Sequence, residues 1–316
     1  MANQFYTAQQ AAGVALRMVE SDQYLSALIA RNVIDPLKGG GAGRTVELKL
    51  PNGLIARDRN VDDKTTALVF DELQEQRITV TAGSAAYSGV TLSDGDLSLN
   101  LESFADQVLS PQVDAVVEKI EGAVAAKIRA IPLNTTVKWD PARPDKTFTA
   151  IRKVLRLRGV PQAGIVSIVG VNVYAALLDA NLLVDASSSG STAALREGQI
   201  GRLRGFTIVE STRIGDDEIV AFHRDAFTLT VKAPVAPAGA PFSAAVSGNG
   251  YALRYLRGFD ITVANERSLV DTMYAVTAMP MYRIGQDGST NRTVATLVEA
   301  GQDATFRMSI GDAEPA

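Results

Sequence analysis

Four stretches of this sequence carry residue types that could do chemistry. Residues 38–45 (Lys-Gly-Gly-Gly-Ala-Gly-Arg-Thr) approach a phosphate-cradling glycine loop. That loop needs glycine at position 38, where lysine stands, lysine at position 44, where arginine stands, and a helix directly afterwards. The residues that follow alternate as a strand does, so the glycines read as a hinge. His223-Arg224-Asp225 has the order of a kinase catalytic loop, but the asparagine due five residues past the aspartate is replaced by Thr230. It reads as a strand end and turn. Arg152, Lys153, Arg156 and Arg158 fall in the second half of an expected helix, where cations complement the helix dipole, and suit a solvated helix face better than a nucleic-acid patch. The acidic clusters Asp62-Asp63, Asp94-Gly95-Asp96 and Asp216-Asp217-Glu218 lack the ligand spacing of a calcium loop and suit turns and caps.

What is missing narrows the chemistry further. The chain has no cysteine, so disulfides, thiol nucleophiles and thiolate metal sites are out. It has one histidine, which leaves little for neutral-pH proton transfer or imidazole metal sites. No serine sits in a Gly-x-Ser-x-Gly elbow. No catalytic, cofactor-binding or metal-binding residue is therefore nominated, and no cofactor is expected. With 316 residues, 46% hydrophobic and 21% charged, the chain suits one large or two moderate folded domains. No apolar run reaches the length of a membrane span, and residues 1–6 lack the basic and apolar regions of a signal peptide. The net charge of −4, with no basic tail, argues against a tight grip on DNA phosphates.

The elements that must position these residues follow from periodicity. Two helical pieces are expected within residues 5–34, with stripes of Ala11, Ala12, Ala15, Leu16, Val19 and of Tyr24, Leu25, Leu28, Ile29. The first is alanine-rich and can bury little area, so a partner on a neighbouring copy is expected. A strand at 44–50, a polar charged stretch at 54–75 and further strand-like runs from Arg77 and over 87–92 suggest a protruding β-hairpin with a charged tip (Arg57, Asp58, Arg59, Asp62, Asp63, Lys64). A lone hairpin is marginal in water and needs a surface to lie on. The clearest helix is 111–131, capped by Ser110 with Pro111 at its first position and Pro132 after it. Helices at 146–158, capped by Asp145, and after Asn172, with strands at 165–169, 218–222 and 227–232, make a mixed α/β unit. Residues 233–250 read as a linker rich in Pro, Gly, Ala and Ser. Strands at 251–257, 259–264, 271–282 and 293–298 close the chain.

Four motifs stand out: residues 173–178 (Val-Tyr-Ala-Ala-Leu-Leu), 195–198 (Leu-Arg-Glu-Gly), 205–211 (Gly-Phe-Thr-Ile-Val-Glu-Ser) and 221–227 (Ala-Phe-His-Arg-Asp-Ala-Phe). Together with the element order they resemble the major capsid proteins of tailed bacteriophages, of HK97 type, in the P22 coat protein-like branch found in phages of actinobacteria. The resemblance implies an α+β, HK97-like capsid fold. It implies an N-terminal arm (1–43), an extended loop (44–96), the spine helix of a peripheral domain (97–132), an axial domain (133–257), and peripheral-domain strands with a C-terminal tail (258–316). It also implies a homo-oligomer of hexamers and pentamers in an icosahedral shell around double-stranded DNA, and a virion protein assembled in the host bacterial cytoplasm. Scaffolding, portal and decoration proteins are the further partners it suggests; no membrane is involved. Gly39, Gly40, Gly41 and Gly43 would be the arm's pivot, and the charged tip would lie over a neighbour. Functions tied to the inserted domain of the P22 coat, and covalent cross-linking, are not carried over. An encapsulin-type nanocompartment shell shares this fold, and an enzyme with a carboxylate-based site is the remaining alternative.

Overall fold

The computed structural model describes residues 7–21, 24–33, 45–49, 58, 60–68, 70, 77–92, 104–180, 202–237, 239–240, 242–248, 250–262, 265–286, 293–298 and 304–310. Chain order begins with α1 (Ala8–Ser21), a 3-10 turn (Ser26–Leu28), β1 (Ala30–Val33), β2 (Thr45–Lys49), β3 (Arg77–Thr81) and β4 (Ser84–Leu92). A π-helical turn (Ala105–Leu109) then runs into α2 (Ser110–Arg129), followed by α3 (Pro144–Leu157), β5 (Ile165–Val169) and α4 (Val171–Asp179). Next come β6 (Arg202–Leu203), β7 (Phe206–Glu210), β8 (Glu218–His223), a 3-10 turn (Arg224–Ala226) and β9 (Phe227–Lys232). The last strands are β10 (Phe242–Gly248), β11 (Tyr251–Asp260), β12 (Asn265–Ala278), β13 (Met281–Gln286), β14 (Thr293–Val298) and β15 (Thr305–Ser309).

These elements form two compact units, each assembled from three separate stretches of chain. The first takes residues 1–47, 79–127 and 227–277; the second takes 48–78, 128–226 and 278–316. The chain passes from the second unit to the first at Ala226–Phe227. Residues 305–309 pair with β8.

The first unit is built on a six-stranded sheet in the order β1-β9-β12-β11-β10, with β4 also paired to β12. β12 has 14 residues, roughly 45 Å of extended chain, and lends one edge to β11 and the other to β4. The second arm of the expected hairpin is thus divided. β3 pairs with β2, whereas residues 84–92 lie in the large sheet. β10 falls inside the stretch read as a linker. Its Ser, Ala and Gly residues give no strand signal alone, but full antiparallel register with β11 supplies the hydrogen bonds, and small side chains let α1 pack on it.

In α2 the expected cap at Ser110 is overturned. Ser110 has helical angles, and its N–H reaches back to the Ala105 carbonyl, a π-type bond. The wider turn carries the helix through Pro111, whose missing N–H would otherwise break it. The helix then spans roughly 30 Å over its 20 α-helical residues. Gln112, fully buried on α2, donates to the carbonyls of Ser88 on β4 (3.1 Å) and Ser268 on β12 (3.0 Å) and accepts from the Ser268 hydroxyl (2.8 Å). One amide therefore fixes the helix over two paired strands.

The second unit carries a five-stranded sheet, β15-β8-β5-β7-β6, in which β5 and β7 run parallel across the α4 crossover. Every residue of β5 and β8 is buried. α3 sets Phe148 edge-on to Phe206 of β7, with ring centroids 6.0 Å apart. Two expected caps differ here. Asp145 sits inside the first turn of α3 behind Pro144, and α4 starts at Gly170, so Asn172 lies within it. Gly170 is required by close approach, because a Cβ there would lie 2.2 Å from the Gly215 carbonyl oxygen. Gly170→Ala should lower the stability of this chain by roughly 2–4 kcal/mol in chemical denaturation, because backbone must move to admit the methyl group.

Candidate functional site

The charged tip is the first candidate surface. Asp58, Asp62 and Lys64 are exposed and Asp63 is half-buried; Arg57, Arg59, Gly39, Gly40, Gly41 and Gly43 lie outside the described residues. The Asp63 carboxylate accepts from the Thr65 N–H (2.8 Å) and hydroxyl (2.8 Å) and from the Thr66 N–H (3.2 Å) and hydroxyl (2.5 Å). These bonds, the Thr66 hydroxyl foremost, hold its pKa well below the usual carboxylate range. The Asn60 side-chain oxygen accepts from the Asp62 N–H at 3.1 Å. The acids here shape a turn. What the turn presents is apolar: Val61 is 91% exposed, Leu68 58% and Phe70 84%. The sequence signal was Val61 beside two aspartates and the short apolar run Ala67-Leu68-Val69-Phe70 between polar stretches.

The N-terminal segment is the second. Contrary to the expectation that α1 needs a neighbouring copy, it packs on β10 and β11 of its own chain and buries Ala11, Ala12, Ala15 and Val19. The second expected helix shortens to one 3-10 turn, and β1 continues from it in parallel pairing with β9, Ala30 opposite Thr228. Glu121 explains the change. Buried on α2, it accepts the backbone N–H of Leu25 (2.7 Å) and Ser26 (3.1 Å) and also the Ser26 hydroxyl. Tyr251 donates in turn to the Ser26 oxygen at 2.6 Å, and burial pushes the Tyr251 phenol up to about 12 against that bond. A carboxylate thus caps the turn from outside, binding the arm to α2 and β11.

The second-unit residues whose types could do chemistry are structurally occupied. His223 Nε2 lies 2.9 Å from the Ala163 carbonyl oxygen, and its Nδ1 accepts the Asp225 N–H (3.3 Å). Three members of the basic run hold carbonyl oxygens of their own chain: Arg152 that of Arg204, Arg156 that of Val160, and Arg158 that of Thr305. They are more engaged than a solvated face implies. Asp145 pairs with Arg204 at 2.7 Å, and that hydrogen bond foremost lowers its pKa. Glu218, the last of the acidic cluster, binds Arg307 at 2.6 Å and Arg129 at 3.5 Å, while Arg307 also donates to the Arg129 and Ile131 carbonyls at the end of α2. Burial pushes Glu218 up, but the Arg307 bond, the Gly215 N–H and both guanidinium charges outweigh it and hold the carboxyl below its usual range. Among the described residues, no group of three His, Asp or Glu could hold a metal, and no helix is long and apolar enough to cross a membrane.

No protein-family model and no curated protein sequence matches this chain. Solved structures do. One from Mycobacterium phage Che8 is 17% identical, with 85% of each chain covered and a TM-score of 0.51. The mature capsid of bacteriophage PhiM1 is 13% identical, covering 93% of this chain and 88% of that one at 0.52. The capsid of Ralstonia phage GP4 is 8% identical, covering 93% and 90% at 0.52. The chain has an HK97-like capsid fold. Among the described residues, Val61, Leu68 and Phe70 of the tip are exposed large apolar side chains.

Two outcomes are expected. Glu121→Ala strands the buried donors of Leu25 and Ser26; each such donor costs about 1–3 kcal/mol, so a loss of roughly 2–4 kcal/mol should appear in denaturant melts, with early proteolysis near residue 24. Glu218, with its pKa depressed on folding, contributes stability that is complete above the ordinary glutamate value and lost as pH falls through the lower folded value. Wild-type melting temperature should therefore fall through that acid window, and Glu218→Gln should flatten the fall while lowering stability at neutral pH.

Proposed function

We propose that this chain is the major capsid protein of a tailed bacteriophage, which assembles with its own copies into the icosahedral head shell enclosing double-stranded DNA. The carrying observation is a capsid fold matched over 93% of the chain. On this reading the chain forms hexamers and pentamers, resides in the virion and assembles in the host cytoplasm. Scaffolding, portal and decoration proteins are its further partners. The net charge of −4 suits a wall that contains DNA without gripping it.

The tip over residues 58–70 then lies on a neighbouring copy. Val61, Leu68 and Phe70 are exposed in the free chain and gain from burial, worth about 1.5–3 kcal/mol for each large side chain fully covered. A modest contact suffices when hundreds repeat in a closed shell. Gly39, Gly40, Gly41 and Gly43 form the pivot between the arm segment that Glu121 anchors and the loop that follows, which meets inequivalent shell positions.

Electron microscopy of the purified recombinant chain is the direct test, with closed shells expected and a lasting monomer contradicting the reading. Serine at Val61, Leu68 and Phe70 together should abolish shells while changing monomer stability by less than about 0.5 kcal/mol, since those groups are exposed in the free chain. Alanine at the four arm glycines should impair shell formation as well.

A further inference from the structure

Arg307 of β15 is tied at both ends of its guanidinium and still has donors to spare. Nη2 binds the Glu218 carboxylate (2.6 Å), and Nη1 donates to the Arg129 (2.6 Å) and Ile131 (3.2 Å) carbonyls. Nε is buried and has no acceptor among the described residues. The main chain adds a second donor. β15 is the edge strand of its sheet, antiparallel to β8 with Arg307 opposite Val220. The His223 N–H donates to the Ala304 carbonyl (3.1 Å) and the Ile310 N–H to the Asp217 carbonyl (2.8 Å). Residues 304, 306, 308 and 310 therefore turn their backbone groups toward β8, and residues 305, 307 and 309 turn theirs outward. On that outer edge the Arg307 carbonyl accepts from the Asn134 N–H (2.7 Å). The Arg307 N–H shares the edge and has no acceptor among the described residues.

Arg307 also lines a cavity. A space of about 140 Å³, room for roughly four or five waters, lies between β15 and residues 131–134 after α2. Arg158, which ends α3, lines it too and donates to the Thr305 carbonyl (2.9 Å) on the same edge. Ile131, Pro132, Leu133 and Phe306 add apolar wall, and Leu133 is 48% exposed. Among the described lining residues, Arg158 and Arg307 carry positive charge and none carries negative charge. All of them belong to the second unit. Guanidinium and backbone N–H groups side by side bind oxyanions, most strongly where charge assists the bond. Arg307 is already paired with Glu218, so a single negative charge suits the site better than the double charge of a phosphate. The apolar wall suits a short hydrocarbon stem behind that charge.

We propose that this cavity binds a carboxylate carried on a short apolar stem, its oxygens accepting from Nε and the backbone N–H of Arg307, with Arg158 adding charge beside them. The bound group joins the end of α2, the end of α3 and β15, and it stabilises the folded chain by mass action. A free organic acid and a glutamate or aspartate side chain of a second copy present the same chemistry. The site does not depend on the shell reading.

Sodium butyrate is the probe, with butyramide, an uncharged amide of the same shape, as control and sodium chloride matching the ionic strength. Butyrate should bind the dispersed chain in calorimetric titration and raise its melting temperature. Butyramide should bind at least about tenfold more weakly, because it cannot make a charge-assisted bond. Leu133→Trp fills the cavity without touching its polar ties and should weaken butyrate by at least about tenfold. Arg307→Lys keeps the positive charge but removes the Nε donor, and should do the same where circular dichroism shows it folded; where it is unfolded, Leu133→Trp decides. No butyrate binding, equal binding of butyrate and butyramide, or full affinity in Leu133→Trp overturns the proposal and leaves a cavity that holds water only. Because binding is read on the dispersed chain, that failure leaves the shell reading standing, and an absence of shells leaves this site standing. Butyrate added before assembly separates the two sources of the group. Fewer shells point to an acidic side chain of a second copy, and an unchanged number points to a free acid.

Discussion

A buried polar group must find a partner, and the first unit depends on how α2 meets that demand. Gln112 and Glu121 are buried among apolar neighbours on one helix. Gln112 spends its amide on carbonyls of two adjacent strands, and Glu121 spends its carboxylate on N–H groups of the arm. Left unmade, these bonds would carry the full desolvation penalty of each group. Helix, sheet and arm therefore have one low-energy arrangement. Apolar packing alone would tolerate sliding of α2 along the sheet; directional bonds at 3.0 and 3.1 Å do not.

The second unit meets a similar demand with charge. Arg307 of β15 joins the Glu218 carboxylate at the start of β8 to the carbonyls that end α2, so a late strand, a central strand and the helix terminus share one tie. Backbone proximity is tight in this region, and Gly170 allows the strand-to-helix turn to pass beside residues 215–216. Rigid interiors of this sort leave the interaction energy to the periphery. Among the described residues, the tip with Val61, Leu68 and Phe70 presents exposed apolar groups at the periphery. A protein that tiles needs such surfaces, because only burial by a neighbour turns their exposure into stabilisation.

Much of the fold was legible where burial imposes a period. Helix α2 shows its apolar stripe from Val113 to Ile128, β5 is a continuous apolar run, and β7 alternates from Phe206 to Ile208 as expected. The readings failed where a distant partner replaced a local signal. β10 has the composition of a linker and becomes a strand because β11 pairs with it. Residues 30–33 continue a helical pattern and become a strand because β9 is beside them. Ser110 and Asn172 are good caps by type, yet one lies in a continuous helix and the other donates to Asp217. Among the tip residues, acids were visible as a cluster, but their role in the turn and the outward apolar groups emerged only with the bonds in place.

By itself the sequence determined the class of elements, the lack of thiol chemistry, and the scarcity of imidazole, since composition and periodicity are properties of the chain alone. It also carried motifs whose resemblance pointed to a capsid fold. Only the tertiary structure decided which unit each segment joins, that α1 lies on its own chain, and that His223, Arg152, Arg156 and Arg158 are bonded to backbone carbonyls. The reason is that hydrogen-bond partners and burial depend on residues about 100 to 230 positions away, as with Ser26 bonded to Glu121 and Tyr251. Periodicity read along a window of a few turns contains no information about them.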